Sequence, residues 1–233
     1  MRLLALETAT PAGAVALRAE GRSLGEVVTT TSREHTETLL PGALELLGAA
    51  GLSLASLDAI VVDVGPGLFT GLRVGVATAR SLAMAVGVGV IGVSSLEVLA
   101  ADPALGEATE VLSVVDARRG EVFAQRFSGS GPARRAIRDP VVLAPEQLGT
   151  LLEAPAGAVL TAVGDGALRY QDLLEALGVE VLGSVTLPSP AVAAALAEGR
   201  GQPPLPPASV VPLYLRDPDA VANFHVAPTG PGR

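Results

Sequence analysis

Four carboxylates of this 233-residue chain stand at or near the ends of apolar segments, where a phosphotransferase would need them. They are Glu7, Asp63, Asp116 and Asp165. In phosphoryl transfer such groups hold Mg²⁺ or act as a base. With their neighbours they predict an ancestral nucleotide site that consists of Glu7, Thr8, Thr10, Gly65, Gly67, Asp116 and Arg118.

A glycine-rich loop is the second feature with chemical potential. The segment G-P-G-L-F-T-G-L-R-V-G, residues 65–75, follows an apolar run and precedes a helical pattern over Thr70 to Val86. Gly65 and Gly67 can take positive φ, and Thr70 can cap the helix through its hydroxyl. Amide groups at such a helix start attract phosphate. Against this interpretation, Pro66 removes one amide, and the chain contains no lysine to follow the loop.

Three of the four carboxylates also have a purely structural interpretation. Glu7 can be a polar strand end whose neighbouring threonines satisfy turn amides, and this interpretation is slightly favoured over a phosphate turn. Asp116 followed by two arginines is more often an ion pair that fixes a turn. Asp165, within Gly-Asp-Gly, is most simply a turn or N-cap residue.

Small residues recur at intervals of four along the helical pattern after the loop. Gly67, Gly71 and Gly75 are followed by Ala79 and Ala83. Such a row forms one smooth helix face and lets another element approach closely. The close contact can lie inside one lobe or across a subunit boundary, and the residues alone leave both open.

Composition excludes several classes of chemistry. With no cysteine and no lysine, the chain has no disulfide, thiol catalysis, Walker-type lysine or Schiff base. Its two histidines, His35 and His225, are far apart, so a histidine-rich metal site is not expected. A net charge of −8 disfavours autonomous nucleic-acid binding. The arginine cluster from Arg118 to Arg138 is interpreted as solvated, with a local contact to RNA or an acidic partner as the alternative. Without a secretory pattern or an apolar run long enough to cross a membrane, a cytoplasmic protein is expected.

The predicted elements occur twice in the same order: three strands, helix, strand, glycine loop, helix, strand, helix. This order predicts an α/β protein made of two ribonuclease-H-like lobes, each with a mixed five-stranded sheet flanked by helices. The expected boundaries are 1–104 for the first lobe, 105–205 for the second, and 206–233 for a proline-rich tail. Within the tail, Val211 to Arg216 is expected to dock as an extended segment, and Ala227 to Arg233 to be disordered. In the second lobe, helices are predicted near Pro145 to Leu152, Ala167 to Leu177 and Pro190 to Glu198, and a third strand at Arg134 to Arg138.

Several motifs in succession resemble those of one family. They are L-A-L-E-T-A-T at 4–10, S-R-E-H-T at 32–36, the loop at 65–75, I-G-V-S-S-L at 91–96, D-A-R-R-G-E-V-F at 116–123 and Y-L-R at 214–216. Together they are similar to the TsaB (YeaZ) family, whose members help bacteria to make N6-threonylcarbamoyladenosine (t6A) in tRNA. The resemblance spans nearly the whole chain; Leu68 replaces the serine that the family usually has. It implies the duplicated fold of actin, Hsp70 and the sugar kinases.

The resemblance implies that the chain acts by binding a catalytic paralogue, TsaD. The contact is expected through the helices from Glu34 to Ala50 and from Thr70 to Val86, and a homodimer can use the same surface. The resemblance also implies that a TsaE-like ATPase joins the complex. This chain is then expected to contact tRNA only indirectly, through the complex. The implied substrates are threonylcarbamoyl-AMP and the adenosine 3′ to the anticodon in tRNAs that read codons beginning with adenine. The expected interface residues are His35, Leu39, Leu40, Leu44, Gly67, Thr70, Gly71, Arg73, Gly75 and Ala79.

The family comparison also implies a non-catalytic subunit. Ser95 and Leu99 stand where the paralogue has two metal-binding histidines, and neither side chain can replace an imidazole. No catalytic residue, metal or cofactor is therefore expected in this subunit alone, although ATP or ADP can enter the complex. The alternative is an active small-molecule kinase of the same superfamily.

Overall fold

The structure, a computed structural model, describes residues 1–29, 35–152 and 159–216. For residues 35–38 and Pro132 only the backbone is described. The predictions made for residues 32–34, His225 and the last residues, 227–233, lie outside this part of the chain. None of the described helices is long and apolar enough to cross a membrane.

The N-terminal lobe is built on a five-stranded mixed sheet in the order β3-β2-β1-β4-β5. The first three strands are antiparallel, whereas β4 and β5 run parallel to β1 because helices connect them. This is the predicted arrangement. The elements are β1 (Leu3–Glu7), β2 (Gly13–Ala19), β3 (Arg22–Thr29), α1 (His35–Ala49), β4 (Ala59–Gly65), α2 (Phe69–Val86), β5 (Gly89–Ser94) and α3 (Ser95–Ala100).

Helices α1 and α2 cover one face of this sheet. Their inward residues, such as Leu39 and Leu47 on α1 and Val76 on α2, pack with Leu4 and Ile60 of the sheet. The spacing of these residues is that of an amphipathic helix, which is why both helices are recognisable in sequence. Pro41 lies inside α1, which begins six residues before it at His35.

The C-terminal lobe repeats the same topology. Its central strand β6 pairs antiparallel with β7 and parallel with β10. The sheet order is β11-β10-β6-β7-β8, with β9 also paired to β7. The two lobes are therefore a duplicated ribonuclease-H-like unit, as predicted. The elements are β6 (Glu110–Arg118), β7 (Glu121–Ser128), β8 (Arg135–Ala136), β9 (Val141–Leu143), β10 (Leu160–Val163), α4 (Asp165–Arg169), α5 (Gln171–Ala176), β11 (Glu180–Val181) and α6 (Pro190–Gly199).

The second lobe differs from prediction in three details. The predicted strand at Arg134 to Arg138 is reduced to the two residues of β8, and β9, which was not predicted, also pairs with β7, so this sheet has six strands rather than five. The segment Pro145–Leu151 is a 3₁₀ helix. The predicted helix from Ala167 to Leu177 is interrupted at Tyr170, whose φ of −111° and ψ of 31° end α4 before α5 begins.

Helix α6 belongs to the N-terminal lobe, although it follows the second lobe in sequence. Ala193, Ala194 and Ala197 pack with Leu3 and Val61 on the sheet face opposite to α1 and α2. Small side chains allow the helix to lie close to the strands. The predicted boundary at residue 205 is therefore wrong, because the C-terminal lobe ends before α6.

The segment after α6, which we call the strap (residues 205–216), runs along the open edge of the first sheet. Leu205 exchanges two backbone hydrogen bonds with Val90, and the amide of Leu213 donates to the carbonyl of Val64 over 2.7 Å. At its end, Arg216 forms an ion pair with Glu121 of the other lobe at 2.7 Å. The predicted docking of Val211 to Arg216 is confirmed, and the strap connects the two lobes.

Candidate functional site

Two buried carboxyl groups meet at the carboxyl ends of β1 and β4. Glu7 is 3% exposed and Asp63 is fully buried, and the two side chains contact each other because their strands are parallel neighbours. Glu7 Oε1 accepts a hydrogen bond from the amide of Ala9 at 2.6 Å. Asp63 Oδ1 accepts bonds from the amide of Gly65 and the hydroxyl of Ser95, each at 2.7 Å.

The electrostatics of this pair favour one shared proton over two separate negative charges. Burial raises the pKa of Glu7 well above its ordinary value, and the neighbouring Asp63 raises it further. Burial also raises the pKa of Asp63, against hydrogen bonds that lower it. The second carboxylate oxygen of Asp63 has no donor among the described residues unless Glu7 carries the proton. A protonated Glu7 that donates to Asp63 satisfies it, and such a pair is a poor Mg²⁺ ligand and a poor base.

The glycine loop is occupied by the chain's own backbone. The amide of Leu68, the N-cap residue of α2, donates to the carbonyl of Ala9 over 2.7 Å. A Cβ added to Gly67 would lie 2.3 Å from that same oxygen. Thr70, predicted to cap α2, instead lies inside the helix, which begins at Phe69. The turn after β1 therefore fills space where a phosphate would have to enter.

The row of small residues is explained within the lobe. A Cβ on Gly71 would lie 1.9 Å from the carbonyl oxygen of Thr8, and one on Gly75 would lie 2.2 Å from its hydroxyl. The Thr8 hydroxyl in turn donates to the carbonyl of Gly71 at 2.8 Å. The glycines thus bring α2 against the turn after β1, and this close contact lies inside one lobe, which is one of the two alternatives that the residues left open.

The other predicted interface residues separate into two groups. Leu39 and Ala79 are buried in the core, so their assignment to a surface is wrong. Leu40 and Leu44 on α1 are 39% and 49% exposed. The side chain of His35 lies outside the described residues. The exposed members of the predicted set are Leu40, Leu44, Thr70 and Arg73.

The second lobe carries a related cluster around Asp116. One of its carboxylate oxygens forms ion pairs with Arg118 at 2.9 Å and with Arg169 at 2.7 Å. The interpretation of Asp116 and Arg118 as an ion pair at a turn is confirmed. Asp165 accepts a hydrogen bond from the amide of Asp116, so it joins α4 to β6 rather than capping a helix. Arg169 was not found from sequence, because it lies 53 positions from its partner.

The two clusters have the same local geometry. Glu7 accepts from the amide two residues later, and Asp116 accepts from the amide of Arg118 in the same way at 2.9 Å. This shared turn after the first strand of each lobe is a trace of the duplication. Within the described residues no hydrogen bond or ion pair joins the two clusters, so the residues of the predicted nucleotide site form two groups, one in each lobe.

The arginine cluster from Arg118 to Arg138 contains both buried and exposed side chains. Arg126 is 2% exposed and pairs with Glu110 at 2.7 Å, and Arg134 is 4% exposed. Neither the solvated interpretation nor an RNA contact fits these two residues. The exposed members are Arg118, Arg119, Arg135 and Arg138.

The two positions compared with metal-binding histidines are interior positions. Ser95 is fully buried against Asp63, and Leu99 packs in the core between α3 and the second sheet. In the part of the chain that the structure describes, no three His, Cys, Asp or Glu residues are grouped so as to hold a metal ion.

Comparison with known proteins gives a consistent set of relatives. Residues 22–185 match the family model described as TsaD: tRNA N6-adenosine threonylcarbamoyltransferase. The chain is 33% identical, over 93% of its own length and 95% of the relative's, to the tRNA threonylcarbamoyladenosine biosynthesis protein TsaB of Escherichia coli. It is 38% identical to an uncharacterized protein of Mycobacterium tuberculosis, over 94% of this chain and 93% of the relative. The solved structure of YeaZ from Pseudomonas aeruginosa superposes with a TM-score of 0.80 at 32% identity, over 92% of this chain and 99% of that one.

Proposed function

The chain belongs to the TsaB (YeaZ) family of tRNA threonylcarbamoyladenosine biosynthesis proteins, and on this premise we propose that it is the non-catalytic partner of a TsaD-type transferase. The similarity to TsaB of Escherichia coli over almost the full length of both chains carries the proposal. The chain binds the catalytic subunit and keeps it in its active arrangement.

The interior of the candidate site supports a role without catalysis. The carbonyl of Ala9 occupies the glycine loop, and a shared proton neutralises part of the charge of Glu7 and Asp63. Ser95 and Leu99, which replace the paralogue's histidines, serve packing and hydrogen bonding instead. A phosphate or a metal ion would have to displace these internal contacts.

The outer surface of α1 and α2 supports a role in binding. Three large apolar side chains are exposed there: Leu40, Leu44 and Met84, the last of them 70% exposed. Leu40 and Leu44 are four residues apart and so lie on one side of α1. Exposed apolar groups on adjacent helices are typical of protein interfaces. We call this surface, formed by the exposed residues of α1 and α2, the helix face.

Within the assembly, the TsaD-type subunit transfers threonylcarbamoyl from threonylcarbamoyl-AMP to the adenosine 3′ to the anticodon. The tRNAs are those that read codons beginning with adenine. A TsaE-like ATPase joins the complex, and ATP or ADP binds there rather than to this subunit alone. The chain meets tRNA only through its partners, and in isolation it forms a homodimer through the helix face.

The substitution Leu44→Arg tests this assignment, because it places a charge on the helix face at an exposed apolar position. We expect association with a TsaD-type subunit to weaken at least thirtyfold, about 2 kcal/mol, as for a hot-spot residue. Leu44 is half-exposed, so the substitution leaves the buried core contacts unchanged and the protein stays folded. Leu168→Arg is the matched control, because Leu168 is 45% exposed on α4 in the other lobe. Co-elution and reconstituted tRNA modification are the measurements.

Two results would contradict the proposal. One is full tRNA modification by the other subunits in the absence of this chain. The other is tight binding of Mg·ATP by the isolated chain with slow hydrolysis, measured by calorimetry, which would favour a kinase. If Leu44→Arg alone leaves the complex intact, the helix face is the wrong surface but the family role stands.

A further inference from the structure

A cavity of about 520 Å³ lies between α6 and the loops of the second lobe. One wall is apolar and is formed by side chains of α6, among them Val192, Ala195 and Leu196. Much of the rest of the lining comes from Ala101, Asp102, Pro103 and Gly106, with Gly131 and Arg134. Its volume and mainly apolar lining are those of cavities that bind small molecules.

This cavity is separate from the candidate site. Arg18, which lines it, pairs with Leu3 at the start of β1, whereas Glu7 lies at the other end of that strand. Four residues of extended strand separate the two ends by about 13 Å. The cavity is also on the α6 side of the first sheet, opposite to α1, α2 and the helix face.

Three arginines converge on the cavity: Arg18, Arg134 and Arg200. Arg134 is only 4% exposed, and its guanidinium donates to the backbone carbonyls of Ala100, Ala108 and Gly129. Among the described residues no carboxylate forms an ion pair with it. Each of its terminal nitrogens has one further N–H, because a guanidinium carries five donors.

Arg200 provides a second unused donor. One terminal nitrogen of Arg200 pairs with Glu97 at 2.8 Å, and neither its other terminal nitrogen nor its buried Nε has a hydrogen-bond partner in the described chain. A buried donor without a partner is unfavourable and calls for a ligand atom or water.

The acidic groups around the cavity are already engaged. Glu198 binds Arg18 at 2.6 Å and the terminal amine of Met1 at 3.0 Å. Glu97 is paired with Arg200, and Asp102 accepts from the amide of Ala104. The charge of Arg134 is thus left without a direct counterion, and burial lowers the pKa of this guanidinium.

We propose that this cavity binds a small organic anion, with its carboxylate or phosphate head on Arg134 and Arg200 and its aliphatic body against α6. Arginine is suited to such heads because its planar fork donates two parallel hydrogen bonds. The aliphatic body would bury the apolar wall near Val192 and Ala195. The site is independent of the proposed function, since it lies away from the helix face.

Titration of the full-length chain with octanoate, octyl phosphate and neutral octanamide tests the proposal. Calorimetry and NMR chemical shifts of α6 are the readouts. We expect at least one of the two anions to bind with a stoichiometry of one, and octanamide to bind at least tenfold more weakly. Comparison of the two anions distinguishes a carboxylate site from a phosphate site.

Three variants locate the binding. Arg200→Gln removes the unused donor, and Ala195→Phe fills the cavity without changing an ion pair; each should weaken binding at least tenfold. Ala176→Phe is the control, because Ala176 is exposed on α5 away from the cavity, and it should bind as the wild type does. The proposal is overturned if neither anion binds, if octanamide binds as tightly as the anions, or if Ala195→Phe keeps wild-type affinity.

Discussion

Gly71 is the residue at which the contact between α2 and the turn after β1 is closest. An added Cβ would lie 1.9 Å from the carbonyl oxygen of Thr8, a backbone atom that cannot rotate away. We predict that Gly71→Ala lowers the free energy of unfolding by about 3 kcal/mol, the upper range for overpacked sites. Urea denaturation followed by circular dichroism measures the change.

Gly48→Ala is the matched control for this substitution. Gly48 also lies in a helix, α1, but a Cβ there would meet nothing within 4 Å. The added methyl group should stabilise the protein by about 0.5 kcal/mol, because alanine restricts the unfolded chain. Equal stability of both variants would contradict the close packing of α2 on Thr8.

The shared proton of Glu7 and Asp63 predicts an unusual dependence of stability on pH. The pKa of folded Glu7 lies above the value of about 4.3 for an unfolded glutamate. Between these two values the folded state binds more protons, so the free energy of unfolding falls as pH rises. The contribution of Glu7 to the free energy of unfolding is fully present below pH about 4.3 and is lost as pH rises through the pKa of the folded state.

Glu7→Gln should flatten this dependence. An amide cannot ionise, and its N–H₂ group can donate to the unpartnered oxygen of Asp63. Denaturation midpoints from pH 4 to pH 8 should fall less steeply than in the wild type. Glu107→Gln, on the surface, is the control for loss of a negative charge. If the stability of Glu7→Gln depends on pH as steeply as that of the wild type, groups other than Glu7 cause the pH dependence.

At the scale of the elements, three side chains attach the end of the strap to α2: Tyr214, Phe69 and Arg73. The ring of Tyr214 lies 5.2 Å from that of Phe69, and its hydroxyl accepts from Arg73 Nε at 3.1 Å. Arg73 also lies over the Phe69 ring at 3.9 Å. The three side chains attach the end of the strap to the first two turns of α2.

We predict that Tyr214→Ala lowers the free energy of unfolding by about 2 kcal/mol, through the lost ring contact and hydrogen bond. A double-mutant cycle with Phe69→Ala should give a coupling of about 1 kcal/mol. Tyr214→Phe keeps the ring and isolates the hydroxyl, so it should be milder. Additive effects of the two alanine substitutions would mean that the rings do not interact.

The elements that could be predicted from sequence are those fixed by local pattern. The first six elements and the duplicated order follow from apolar runs, helical spacing and glycine turns. The placement of α6 could not be predicted, because its alanines fit any sheet face and only the tertiary fold selects the first one. For the same reason, spacing alone could not show that the glycines of α2 face Thr8.

The candidate site was predictable only in part. Glu7, Asp63 and Asp116 are recognisable in sequence because they stand at or near the ends of apolar segments. The partnership of Asp63 with Ser95 was not, since the two residues lie on neighbouring elements 32 positions apart. Arg126 was misread as part of a solvated cluster because its partner, Glu110, lies across the β6–β7 pair.

For the whole molecule, the helix face predicts a choice between two partners. If the homodimer and the complex with a TsaD-type subunit use the same residues, they exclude each other. Analytical ultracentrifugation should show a concentration-dependent dimer that disappears when a stoichiometric amount of the TsaD-type subunit is added. Leu44→Arg should weaken both associations together, and a ternary species with two copies of this chain would contradict the shared surface.

The position of α6 has a consequence for the growing chain on the ribosome. The strands of the first sheet are complete once Ser94 is made, yet the helix that covers their second face ends at Gly199. At roughly 5–20 residues per second, translation leaves that face uncovered for on the order of 5–20 s. During this interval Leu3, Val61 and Ile91, which α6 later covers, are expected to form an apolar sheet surface open to solvent. Synthesis of the second lobe thus delays completion of the first, and a chaperone that recognises apolar strands has its best target in this half-made protein.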